Sequence, residues 1–164
     1  MDIRNATFDI ARDDPKALFA FRETPRRVLL SAGDQLFRFT SLPDGSFAGN
    51  EIFGSPWWYA QTTFNAIVRA ANRTGSSIVD AARSGLAVTT NWNPTMDWLV
   101  IIELTQPIYA FAGAARSQPV SGNDRSALFI GSLDQLYVPG LAAKDNPMSS
   151  DVATMFYYGS MTYV

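Results

Sequence analysis

Gly131-Ser132-Leu133-Asp134-Gln135-Leu136-Tyr137-Val138-Pro139 reads as a turn feeding a short strand. Glycine and serine give a flexible entry, Leu136, Tyr137 and Val138 form a compact β-prone run, and Pro139 stops it. Asp134 and Gln135 stand at the strand's first positions, where a polar side chain can face a cleft instead of the core.

Outward from this stretch, the chain is mostly strands around a helical middle. Just upstream, Ala127–Ile130 leads in from a polar loop that runs to Asp124. Before that loop, Ile108–Gly113 is a strand, and Trp98–Leu104 is apolar and continuous enough to be central in a sheet. Gly85-Leu86-Ala87-Val88-Thr89-Thr90 reads as a strand ending in hydroxyls. A helix beginning near Trp57 carries the stripe Ala60, Phe64, Ile67, Val68 and Ala71. A second, shorter helix starts at a Ser76 or Ser77 cap and runs through Ile78, Ala81 and Ala82.

Nearer the start, Val28-Leu29-Leu30 and Gln35–Thr40 are strands flanking the turn Ser31–Asp34. In the second of these, alternation sets Leu36, Arg38 and Thr40 on one face and Phe37 and Phe39 on the other. An arginine centred in a strand reads either as an edge residue snorkelling to water or as a ligand-binding cation. Leu42–Ser46 is a loop. Asp13-Asp14-Pro15 is a helix start, and the tail from Ala153 to Val164 ends in a strand containing Tyr157, Tyr158 and Tyr163. This order is an α+β pattern. Residues 1–164 read as one domain, with residues 1–27 as an N-terminal arm or a short helix lying on the domain.

Composition narrows the chemistry. Forty-seven per cent hydrophobic and 13% aromatic residues suit a folded globule, and a formal charge of −2 lacks the basic excess of a dedicated nucleic-acid binder. The sequence has no histidine and no cysteine. That excludes thiol nucleophiles, imidazole bases, Ser-His-Asp triads and zinc sites built on those ligands. No apolar run approaches a membrane span and no signal-peptide core opens the sequence, so a soluble chain with no membrane partner is expected.

Three signals fall in order: Phe37-Arg38-Phe39, Val88-Thr89-Thr90, and the stretch from Leu133 to Pro139. Together they resemble the ADP-ribosyltransferase superfamily, in its Arg–Ser–Glu branch of bacterial toxins and effectors. The resemblance covers roughly Leu29 to Leu141. It implies a split β-sheet core with a helical segment between early and late strands, NAD as the substrate, and no metal. Arg38, with Phe39 beside it, takes the arginine position that binds the dinucleotide's phosphates. Thr89 and Thr90 take the position of the Ser-Thr-Ser segment, and Trp57, Trp58 or Tyr59 would wall the nicotinamide. The resemblance also implies a macromolecular acceptor, protein or nucleic acid, approached through Ser117–Ser126. A cognate immunity protein, and delivery by a secretion system that ignores signal peptides, belong to the same expectation.

The family's catalytic glutamate position is filled by Gln135. Three explanations stand. Asp134 does the work from the adjacent position, although neighbouring strand residues face opposite ways. Gln135 is native to a divergent or non-catalytic member. Or a glutamate was deliberately replaced to permit expression of a toxic enzyme. Two other functions stay open beside a transferase: an NAD glycohydrolase, and a non-enzymatic binding module of the same fold. The blander readings of the same residues are that the tryptophans pack, Thr89 and Thr90 are ordinary strand residues, and Asp134 forms a turn.

Overall fold

The computed structural model describes residues 3–41, 55–121, 124–141 and 156–164. Four helices and nine strands occur among them. Helices α1 (Ile10–Asp13) and α2 (Pro15–Leu18) are short turns set by side-chain caps: Asp9 caps the first, and Asp14 the second, with Pro15 at its first position. Strands β1 (Arg26–Leu30) and β2 (Gln35–Thr40) follow. β3 (Trp57–Ala60) leads directly into α3 (Gln61–Thr74), and α4 (Ile78–Leu86) starts from a Ser77 cap. The rest is β4 (Trp98–Leu104), β5 (Ile108–Ala114), β6 (Gln118–Ser121), β7 (Asp124–Phe129), β8 (Asp134–Tyr137) and β9 (Phe156–Tyr163).

Seven strands join in the order β1-β5-β8-β3-β2-β4-β9, every neighbouring pair antiparallel, while β6 and β7 form a separate ribbon. The architecture is α+β. The short strand β3 belongs to both halves of the sheet. Trp57 and Trp58 pair with Tyr137 and Leu136 of β8, whereas Tyr59 and Ala60 pair with Phe37 and Leu36 of β2.

Alternation along the strands decides what each face buries. Leu36, Trp58, Val100, Ile102 and Leu104 share one core with Leu30, Ile108, Ala110, Ala112 and Leu136, so the two halves of the sheet contribute to a common interior. The opposite residues of β2 and β3, Phe37, Phe39 and Tyr59, pack with Ile67 of α3 and Ala82 and Leu86 of α4. Phe37 stacks on Phe64, with ring centroids 4.6 Å apart. A third core lies under the N-terminal residues, where Ile10, Ala17 and Phe21 meet Phe111 and Tyr137. The segment expected as an arm or a short helix lying on the domain is packed onto β5 and β8. The Asp14 carboxylate accepts from the Tyr137 hydroxyl at 2.6 Å, and Asn5 Nδ2 donates to the Pro139 carbonyl at 2.9 Å.

Several expectations need correction. Gly85–Thr90 is not a strand. Gly85 and Leu86 end α4, Ala87 turns the chain in the left-handed region (φ 53°), and Val88 to Thr90 are irregular. The apolar run that suggested a strand is a buried helix end. No helix starts at Trp57, which lies in β3; α3 begins four residues later. The polar segment after β5 forms the β6–β7 ribbon in place of a plain loop. β2 is not an edge strand of the sheet: β3 pairs with its Leu36 and Phe37, while β4 pairs along it from Gln35 to Thr40. Arg38 sits just past the point where β3 turns to β8. The loop expected at Leu42–Ser46 falls outside the described residues.

Candidate functional site

One cleft gathers most of the singled-out residues. It has a volume of about 460 Å³ and opens beside β3, between β2 on one wall and the N-terminal segment on the other. That size falls within the range of roughly 300–1,000 Å³ common for small-molecule sites. Arg38, Phe39, Trp57, Tyr59 and Gln135 all line it, together with Trp92, Asn93, Arg116 and Gln118. Among the described lining residues there are two arginines and no aspartate or glutamate.

β2 delivers Arg38 on the face of Leu36 and Thr40, next to the sheet junction. The residue is half-buried, and its guanidinium carbon lies 5.8 Å from the centroid of the Trp58 ring. Burial pulls its pKa below the ordinary arginine value, with the nearby Tyr59 acting weakly the other way. A guanidinium tolerates such a shift and stays charged at neutral pH. Tyr59 responds oppositely, because burial disfavours its phenolate and pushes its pKa up to about 12.

Trp57 forms the aromatic wall at the junction, tilted against Phe21 (5.4 Å) and Tyr137 (5.1 Å). Trp92 stands at the other side, 66% exposed. Its loop is held by side chains that the sequence did not single out. Arg83, buried at the end of α4, donates to the carbonyls of Asn93 and Pro94, both at 2.8 Å, and to Val88 at 3.4 Å. Asn93 in turn donates to the Phe39 carbonyl at 3.0 Å and accepts from the Ser41 hydroxyl, tying the loop to the end of β2. The amphipathic pattern gave no sign of Arg83, since a charged residue in a helix ordinarily faces water.

β8 brings Gln135 into the cleft, buried, with Leu136 turned to the core behind it. The Gln135 amide Nε2 donates to the Ala20 carbonyl at 2.9 Å. Asp134 does not line the cleft; its carboxylate pairs with Arg26 at 2.8 Å on the surface. Nor do the threonines line it, although Val88 just before them does. Thr89 is buried with its hydroxyl unpartnered among the described residues, and Thr90 is exposed. Of the expected set, the structure therefore brings Arg38, Phe39, Trp57 and Gln135 together, and leaves Asp134, Thr89 and Thr90 off the lining.

Among the described residues no cluster of three or more His, Cys, Asp or Glu could hold a metal ion, and no helix is long and apolar enough to cross a membrane. Chemically, the cleft offers cationic groups for an anion, flat aromatic surfaces for a ring system, and amides for hydroxyl groups.

No protein-family model and no curated protein matches the chain. Its fold is similar to that of a chain in a solved structure described as "Rhs1-CT in complex with cognate immunity protein RhsI1". The TM-score is 0.52 at 16% sequence identity, over 100% of this chain and 98% of that one. At that identity the likeness is one of fold.

Proposed function

We propose that the cleft binds NAD and that the chain is an effector domain of the mono-ADP-ribosyltransferase type. The observation that carries this reading is the lining itself: Arg38 and Arg116, with no carboxylate among the described lining residues, beside Trp57 and with Gln135 at the start of β8. A dianionic pyrophosphate suits fixed guanidinium groups, which give bidentate, charge-assisted bonds. The nicotinamide and adenine rings suit Trp57, Tyr59 and Trp92. In the reaction the nicotinamide–ribose bond breaks, nicotinamide leaves with the bonding electrons, and an acceptor nucleophile captures the oxocarbenium-like ribose and then loses its proton. A neutral amide at position 135 can hold a ribose hydroxyl but does not stabilise the developing positive charge as a carboxylate would. Slow turnover by this chain follows.

The fold likeness supports the effector part of the reading, since that neighbour's description includes a cognate immunity protein. A dedicated protein that covers the cleft is the corresponding partner here. A second reading, a non-enzymatic dinucleotide-binding module, is favoured by one observation: the amide of Gln135 is committed to the Ala20 carbonyl.

Calorimetry with NAD tests the site. Arg38→Ala should weaken binding by roughly 10- to 100-fold, the scale of one or two lost hydrogen bonds to a charged group. Unchanged affinity removes Arg38 from the binding site. Nicotinamide release without any added macromolecule separates glycohydrolase from transferase, and its absence under all conditions favours the binding module.

A further inference from the structure

The Ala20 carbonyl accepts two hydrogen bonds, one from Gln135 Nε2 at 2.9 Å and one from the Arg116 backbone N–H at 2.8 Å. Its neighbours are fastened in the same way. Phe21 bridges Ala115, the Arg22 N–H donates to the Ala114 carbonyl, and the Arg22 guanidinium donates to the carbonyls of Ile130 and Gly131. Residues Ala20 to Arg22 thus lie along the end of β5, next to the lip of β8, and Ala20 itself lines the cleft.

We propose that Gln135 is a positioning residue acting through Ala20: its amide latches the N-terminal segment to β8, fixes one wall of the cleft, and makes a hydrogen-bond donor obligatory at position 135. The effect on ligand binding rests on the dinucleotide reading of the cleft, but the latch itself needs no ligand. A carboxylate at this buried position would meet the Ala20 oxygen lone pair to lone pair. Burial and the facing carbonyl favour the protonated acid, which alone can donate as the amide does. Arg38 and Arg116 line the same cleft and pull toward the carboxylate. Arg116, however, is already committed to the Phe21 carbonyl, and the neighbouring Asp134 is paired with Arg26, so the direct lone-pair contact with Ala20 decides the balance. Glutamate at 135 would therefore leave the fold intact below its unfolded-state pKa of about 4.3 and weaken it progressively as pH rises toward the higher folded-state value. The amide holds the wall at every pH. Gln135 is then the residue this fold is built around, and not a glutamate lost from it.

Thermal melts of the wild type, Gln135→Glu and Gln135→Leu, all without ligand, test the latch. The Gln135→Glu variant should melt close to wild type at about pH 4.5 and at least about 5 °C below it at about pH 8. Gln135→Leu, which has no donor at any pH, should show a similar deficit at both. A Gln135→Glu variant that unfolds at about pH 8 and regains the fold at about pH 4.5 gives the same support. Equal deficits of Gln135→Glu at the two pH values, loss of its fold at both, or Gln135→Leu melting with the wild type would each overturn the latch. NAD titration of the same proteins comes second: a wild type that binds no NAD removes the ligand reading and leaves the melting result standing.

Discussion

The Thr63 hydroxyl, in the first turn of α3, donates to the backbone carbonyl of Asp134 at 2.9 Å. Thr63 is buried, and this bond anchors the first residue of β8 to the helix. Thr63→Val keeps the shape and removes the donor, leaving a carbonyl short of a partner, at a cost of about 1–3 kcal/mol. Thermal denaturation should show a lower midpoint for Thr63→Val and near-normal behaviour for Thr63→Ser, which retains the hydroxyl.

Arg83 holds three carbonyls of the loop that carries Trp92 and Asn93. Arg83→Met preserves much of the apolar stem and frees those acceptors, so a loss of roughly 2–4 kcal/mol is expected from several broken charge-assisted bonds. Arg83→Lys should recover only part of it, because an ammonium cannot span three carbonyls with a planar fork. Chemical denaturation measures both variants, and equal stability of lysine and arginine at this position would count against the fork.

Tyr59 gives an alkaline signature. Its folded-state pKa is raised to about 12 by burial, whereas an unfolded tyrosine ionises near about 10. The unfolded chain therefore loses its phenolic proton first as pH rises. The stability Tyr59 contributes is whole below about pH 10 and drains away between there and about pH 12. Tyr59→Phe should make the fall in melting temperature across that window shallower than in the wild type.

Gly131 has φ 65°, and a Cβ there would stand 2.5 Å from the Ala115 carbonyl oxygen and 3.0 Å from the Ala87 Cβ. Its N–H also donates to the Ser84 carbonyl, so α4, β5 and the entry to β8 converge on it. Gly131→Ala should destabilise by at least about 1–3 kcal/mol, from a strained backbone plus displacement of backbone neighbours. Gly140→Ala is the control: it also has positive φ (79°), but among the described residues nothing lies within 4 Å of its added Cβ. It should lose less.

β2, β4 and β8 were legible because their patterns are local: alternation around Arg38, a continuous apolar run at Trp98–Leu104, and a β-prone core stopped by Pro139. α3 was legible through its apolar stripe, and the Ser77 cap marked α4. The run Leu86-Ala87-Val88 misled because a buried helix end and a short strand have the same composition, and only the left-handed turn at Ala87 separates them. At the cleft, Arg38 stood out as a charge within a strand. Arg83, Asn93 and Ala20 did not, because each acts through backbone carbonyls, in an irregular loop for Arg83 and far away in sequence for the other two, and such partners leave no periodicity to read.

The bonds joining the N-terminal residues to β8 and its exit span 115 residues for Gln135–Ala20, 123 for Tyr137–Asp14 and 134 for Asn5–Pro139. Contacts this remote form only after long loops close, which makes them late events in folding. A ribosome releases residues Ala20 to Arg22 long before the strand that receives them. A chain halted between α3 and β8 holds β2 and α3 but lacks the strand that fixes the wall opposite Arg38. The cleft is thus a late feature of this fold, and it appears only once β8 has been made.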